Sequence, residues 1–237
     1  GGRMTEDIVP SLLDDIKKEF NRRYKDNKNI KAMLEKLKTN TLTYDDAYDY
    51  AEEVSRILVE VFRQFITPES LPDGKMYYNI AQRILEEPLG NNHELVADYS
   101  QIVQSAINKN AGYNIKAIKS KLNPDRVDGF VQRLASEDLF SEVEWILDEP
   151  VKTFTRATVD DTVQKNAEFN HSLGISAVIE RTEEYDACSW CKNLEGVYNY
   201  PDDVPDAVYM RHDKCRGRVM YIPTDKRKAQ NIHEPRR

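Results

Sequence analysis

The strongest constraint on this chain is the spacing of four residues: Cys188 and Cys191, then twenty residues, then His212 and Cys215. They include all three cysteines of the sequence. Cys-x2-Cys followed by His-x2-Cys is a pattern by which a small fold presents tetrahedral sulfur and nitrogen ligands to zinc. Four protein ligands leave no open coordination position, so the spacing points to a structural zinc site and away from a catalytic one. Zinc binding of this kind is worth about 10 kcal/mol of folding free energy in peptide systems. That is enough to tie together hairpins too small to hold themselves. On spacing alone two other readings stay open. The cysteines can be buried thiols with no metal, or Cys188 and Cys191 can form a redox-active disulfide.

Upstream of this segment the chain reads as successive helices. Val9, Leu12, Leu13, Ile16 and Phe20 share one face, with Pro10 acceptable in a first turn. Ile30, Met33, Leu34 and Leu37 predict a second, short helix. Val54, Ile57, Leu58, Val61, Phe62 and Phe65 recur at three- and four-residue steps behind a capping arrangement of Thr43 and Asp46, and Pro68 ends the run. Tyr77, Ile80, Ala81 and Ile84 predict a helix stopped by Pro88 and Gly90, with Asn91, Asn92 and His93 at the start of the next. That next helix carries Leu95, Tyr99, Ile102, Val103 and Ala106 and closes near Gly112. Pro124 opens a run through Val127, Phe130, Val131 and Leu134. Leu139, Val143, Ile146 and Leu147 follow as far as Pro150, and a last helix covers Val151 to about Leu173, with Gly174 as its stop.

Beyond Gly174 the period changes to two. Ile175, Ala177 and Ile179 predict one strand, Val197 to Tyr200 a second, Val208–Met210 a third short piece, and Arg218–Ile222 the last. The fold class expected is α+β, a mostly α-helical N-terminal body followed by a small antiparallel β unit of zinc-knuckle type. The boundaries expected are a helical domain over 4–174, a knuckle domain over 175–224 and a basic tail over 225–237. Gly1, Gly2 and Arg3, ahead of Met4, are set aside from the fold.

Composition narrows the function classes. No run of roughly 18 apolar residues is present, so no membrane partner is expected. Glu6 and Asp7 after Met4 do not open a signal peptide, and an odd number of cysteines is a poor disulfide framework, which suggests a reducing compartment. The net charge of −7 is uneven, since residues 211–237 hold nine Lys or Arg against three acids. Such a basic end suits DNA or an acidic protein surface. Asp45, Asp46, Asp49, Glu52 and Glu53 read as a solvated acidic face, and His171 as a partner of a helix C-terminus. There is no phosphate-binding glycine loop, nucleophile elbow or His-Glu-x-x-His motif, so no catalytic residue is expected.

Three stretches carry a resemblance: Tyr185-Asp186-Ala187-Cys188-Ser189-Trp190-Cys191, Leu194-Glu195-Gly196-Val197-Tyr198, and Arg211-His212-Asp213-Lys214-Cys215-Arg216. Together with Ala229-Gln230-Asn231-Ile232-His233 they resemble the C-terminal signature of phage minor head proteins, the Mu F-like head-morphogenesis family. The match spans roughly residues 175–233, and the helical part agrees in general character. The family pattern has a further cysteine two residues after the position of Cys215. Here that position is Gly217, so a ligand count of four rests on His212.

The resemblance implies a non-enzymatic virion protein, present in host cytoplasm during assembly. It would act in capsid assembly and head morphogenesis at or near the portal, with a part in DNA packaging or delivery. Its partners would be portal and other phage head proteins, and DNA through the basic tail. The alternative is a zinc-knuckle nuclease, in which His212 would be catalytic, or a toxin-like effector.

Overall fold

A computed structural model describes residues 6–212 and 214–225. Its elements run α1 (Val9–Asp26), α2 (Lys28–Lys36), α3 (Tyr44–Phe65), α4 (Tyr78–Asn110), α5 (Pro124–Leu134), α6 (Glu149–Ser172), β1 (Ala177–Thr182), α7 (Ser189–Lys192), β2 (Gly196–Asn199) and β3 (Arg218–Pro223). The α+β reading holds: helices dominate, and a small three-stranded antiparallel sheet lies near the C-terminal end. No helix among the described residues is long and apolar enough to cross a membrane.

The chain divides into two compact units. The first comprises Gly1–Ala32, Tyr50–Val96 and Lys121–Arg156. Its buried residues are the stripes the sequence predicts: Leu12, Ile16 and Phe20 of α1, Ile57, Leu58 and Phe62 of α3, and Val127, Phe130 and Leu134 of α5. Phe130 meets Phe154 edge-on at 5.7 Å. The Asn123 side chain accepts the Asp125 N–H at 3.0 Å, which satisfies one of the orphan donors at the start of α5. Leu139–Leu147, expected as a helical stripe, forms two short 3-10 turns instead.

The second unit comprises Met33–Asp49, Ala97–Ser120 and Ala157–Arg237. It holds the sheet, whose order is β2-β1-β3, with β1 antiparallel to both neighbours. Ala177, Ile179 and Arg181 of β1 and Val219 and Tyr221 of β3 are buried, as period-two alternation requires. A buried polar chain runs behind them. Tyr44 donates to Gln104, Gln104 donates to Asn108 at 2.8 Å, and Asn170 donates to both Asn108 and the Tyr221 hydroxyl at 3.0 Å. Asn166 closes a two-way bond with the backbone of Ile118, at 2.8 and 2.9 Å.

Three further expectations are corrected. Pro88 and Gly90 do not separate two helices: α4 is continuous over 33 residues with Pro88 inside it. The proline leaves the Ile84 carbonyl without its N–H and costs a free helix about 3 kcal/mol. Burial carries the helix through, because Ile84, Leu85, Leu89, Asn92, Val96, Tyr99 and Val103 stay in step along one stripe. His93 is therefore a buried mid-helix residue, not a neighbour of a helix start. Val208–Met210 is no strand; Asp206–Tyr209 is a 3-10 turn whose carbonyls are taken by Arg181.

Helix stops match their glycines. At Gly174 (φ +80°) the Ile175 N–H reaches Asn170 O and the Gly174 N–H reaches His171 O, the paired bonds of a Schellman end. Gly112 (φ +88°) ends α4 in the same way, through Asn108 and Lys109. At the start of α3 the Asp46 carboxylate accepts the Thr43 N–H at 2.8 Å.

Candidate metal centre

Sheet topology explains how the two cysteine-bearing loops meet. Thr182 at the end of β1 pairs with Arg218 at the start of β3, and Arg181 pairs with Gly196 at the start of β2. The loop leaving β1 and the loop entering β3 therefore open at the same end of the sheet. Cys188 and Cys191 lie on the first, with Cys188 at the N-cap of the single turn α7 and Cys191 inside it. His212 and Cys215 lie on the second.

All four candidate ligands come together: one donor atom from each lies within 4.8 Å of the others. Cys188 Sγ is 3.3 Å from His212 Nδ1 and 3.6 Å from Cys215 Sγ. A tetrahedron with metal–sulfur bonds of about 2.3 Å has edges of about 3.8 Å. These two separations are already near that edge, and a pair at the 4.8 Å limit needs a closure of about 1 Å to reach it. In this structure the three cysteines are free thiols. The donor set, three sulfurs and one imidazole, fits zinc.

The surroundings treat the thiols differently. The Cys191 backbone N–H and the His212 ring hold Cys188 down to about 6, so this exposed group is a ready thiolate. Burial pushes Cys191 up to about 12. Trp190 stacks on the His212 ring at 4.5 Å and 24° and fixes the plane of the imidazole. Tyr185 is 94% exposed.

Gly217 has a direct steric reason. A Cβ there would lie 2.1 Å from Glu183 Oε1. The Glu183 carboxylate is fully buried and accepts from Arg181 Nε at 2.6 Å, and the Arg181 side chain is itself 1% exposed. The same guanidinium donates to the carbonyls of Val208 (2.8 Å) and Met210. No side chain fits at 217 while that pair stands, and His212 supplies the fourth donor.

Sequence reasoning missed a second buried ion pair. Arg211, next to His212, forms a two-point bridge with Asp160 of α6 at 2.6 and 2.8 Å, with both side chains about 95% buried. Burial works against the guanidinium charge, but the Asp160 carboxylate outweighs it and keeps Arg211 charged far above neutral pH. The Tyr48 hydroxyl donates to Asp160 at 2.5 Å and accepts the Val219 N–H at 3.1 Å. Nothing in local spacing announces a partner 51 residues away; a polar residue at an inward position of α6 was the available signal.

The charges expected to stay free are partly spoken for. Arg218 binds Asp45 and Asp49 at 2.8 and 2.7 Å, Asp46 holds Lys36, and Glu53 holds Arg56. The acidic run at the start of α3 is thus largely a set of ion pairs, and Arg211 and Arg218 are structural. The tail beyond residue 225 lies outside the described residues. His171 meets Tyr200 edge-on at 5.6 Å near the end of α6. Comparison with protein-family models, with curated proteins and with solved structures returned no match.

Proposed function

We propose that this protein is a structural minor head protein of a tailed phage, acting in head morphogenesis at or near the portal, with a zinc ion in its C-terminal knuckle. One observation carries the reading. Cys188, Cys191, His212 and Cys215, four residues of the stretches that resemble the Mu F-like signature, converge on a single point with a complete donor set. The zinc would act as a cross-link, joining the loop after β1 to the loop before β3. His212 turns Nδ1 toward a thiol sulfur, which suits a ligand better than the general base that a nuclease would need.

Two measurements test the proposal at separate levels. Elemental analysis of protein purified without added chelator should give about one zinc per chain, and Cys188→Ser should lose it. Co-expression with a portal protein from the same genome should yield a complex that survives size-exclusion chromatography. Zinc-free protein with the melting profile of wild type in chelator would end the metal reading. Clean separation from every head protein of that genome would end the assembly reading.

A further inference from the structure

The two halves of the metal centre are supported unequally. Each half pairs an exposed candidate ligand with a buried one, Cys188 with Cys191 and His212 with Cys215, but the first half lies on a loop with an almost fully exposed Tyr185 and the single turn α7. Beside His212 and Cys215 the support from Arg211 and Asp160 is buried. The Arg211 guanidinium spends Nε and Nη2 on Asp160 and turns Nη1 to the Gly217 carbonyl at 2.7 Å and the Cys215 carbonyl at 3.5 Å. It also lies over the Tyr48 ring at 5.7 Å, with Arg218 over the same ring at 5.6 Å. Asp160 in turn is fixed by the Tyr48 hydroxyl, which accepts from the backbone of β3. One side chain thus grips the backbone on the far side of Cys215 while its own backbone leads into His212.

We propose that Arg211, anchored by Asp160, is the positioning residue of the metal centre. It sets the His212–Cys215 half-site in place before metal arrives, and the Cys188–Cys191 half closes onto it. The inference rests on the zinc reading above and adds a direction to it: the half held by Arg211 recruits, the Cys188–Cys191 half completes. A bidentate guanidinium–carboxylate pair in a dry setting has the geometry for this task, which a lysine does not reproduce. Partners of this outer kind contribute typically 10- to 100-fold to metal affinity.

The test uses the full chain, wild type and three variants: Arg211→Lys, Asp160→Asn and the conservative Asp160→Glu. Zinc affinity is read by competition with a chromophoric chelator. Site geometry is read from the visible absorption of the cobalt-substituted protein. Amide exchange of residues 214–219 is read in the zinc-free chain. We expect Arg211→Lys and Asp160→Asn to bind zinc roughly 10- to 100-fold more weakly, with a weakened cobalt spectrum and faster exchange over 214–219. Asp160→Glu should recover part of the affinity. In zinc-free wild type, 214–219 should exchange more slowly than 184–191.

Variants that melt lower yet keep wild-type zinc affinity and cobalt spectrum would reduce the pair to ordinary packing and overturn the proposal. Equal exchange of the two segments in zinc-free wild type would overturn it as well. Wild type that takes up no zinc would sink the metal centre and this inference with it. The exchange measurement needs no metal, so that result is distinguishable from a failure of positioning alone.

Discussion

Replacing Gly217 with alanine tests the packing beneath the metal loop more sharply than any change to a ligand. The added Cβ would sit 2.1 Å from Glu183 Oε1 and 2.4 Å from the carboxyl carbon, so Glu183 must move. The tip of a glutamate usually swings aside at little cost. Here it is fully buried and paired with an arginine that is 1% exposed, so its departure leaves a buried guanidinium short of its anion. Unpairing a buried charge costs about 3–5 kcal/mol. The carbonyls of Val208 and Met210 go on accepting from Arg181, which places the expectation at the lower end, about 3 kcal/mol. For a chain of this size that is a fall in Tm of about 6–12 °C. The assay is thermal and denaturant unfolding of four proteins: wild type, Gly217→Ala, Glu183→Ala and the double variant. Because the three atoms nearest the added Cβ all belong to Glu183, its added cost in the Glu183→Ala background should shrink to below about 1 kcal/mol, a coupling typical of residues in contact. A Gly217→Ala protein within about 0.5 kcal/mol of wild type, or strictly additive costs, would refute the reasoning.

Other consequences are simpler to check. In zinc-free protein at pH 7, iodoacetamide should label Cys188 well ahead of Cys191. A thiol held to about 6 is about nine-tenths thiolate at that pH, while one pushed up to about 12 is almost wholly protonated. Labelling of Cys188 should fall away as pH drops through 6, and bound zinc should protect both; equal rates would contradict the assigned environments. Chelator should lower the melting temperature of wild type and leave Cys188→Ser unmoved, as seen by differential scanning calorimetry. Leu89→Ala, in α4 with its side chain fully buried, should cost about 2–5 kcal/mol in denaturant unfolding through cavity formation. A cost near zero there would mean that the stripe running through Pro88 is not what holds α4 together.

The four candidate ligands were legible because chelation imposes short, fixed spacings, and the helices because burial imposes a period. What escaped notice was polar and long-range. Asn92 and His93 continue the inward stripe of α4 with side chains that no apolar count registers, so the helix looked broken at Pro88. Along α6, Thr155, Asp160, Thr162, Asn166 and Asn170 are all buried, which makes its inward face polar and its amphipathic signal weak. Its extent could be read from Pro150 and Gly174, but its role could not. Val208–Met210 reads as a strand by residue type, whereas the Val208 and Met210 carbonyls face a buried arginine from β1. Arg211 and Arg218 add to the basic end of the sequence, yet their carboxylate partners, Asp160, Asp45 and Asp49, lie far away in the chain.

Strand order carries a consequence for biosynthesis. Because β1 is central and β3 follows both other strands of the sheet in the chain, a ribosome delivers the middle of the sheet first and one flank well afterwards. Cys188 and Cys191 therefore leave the exit tunnel before His212 and Cys215 exist to complete the set, and the nascent segment waits with an open, two-sulfur clasp. Closure waits until the arriving flank brings the remaining donors into register.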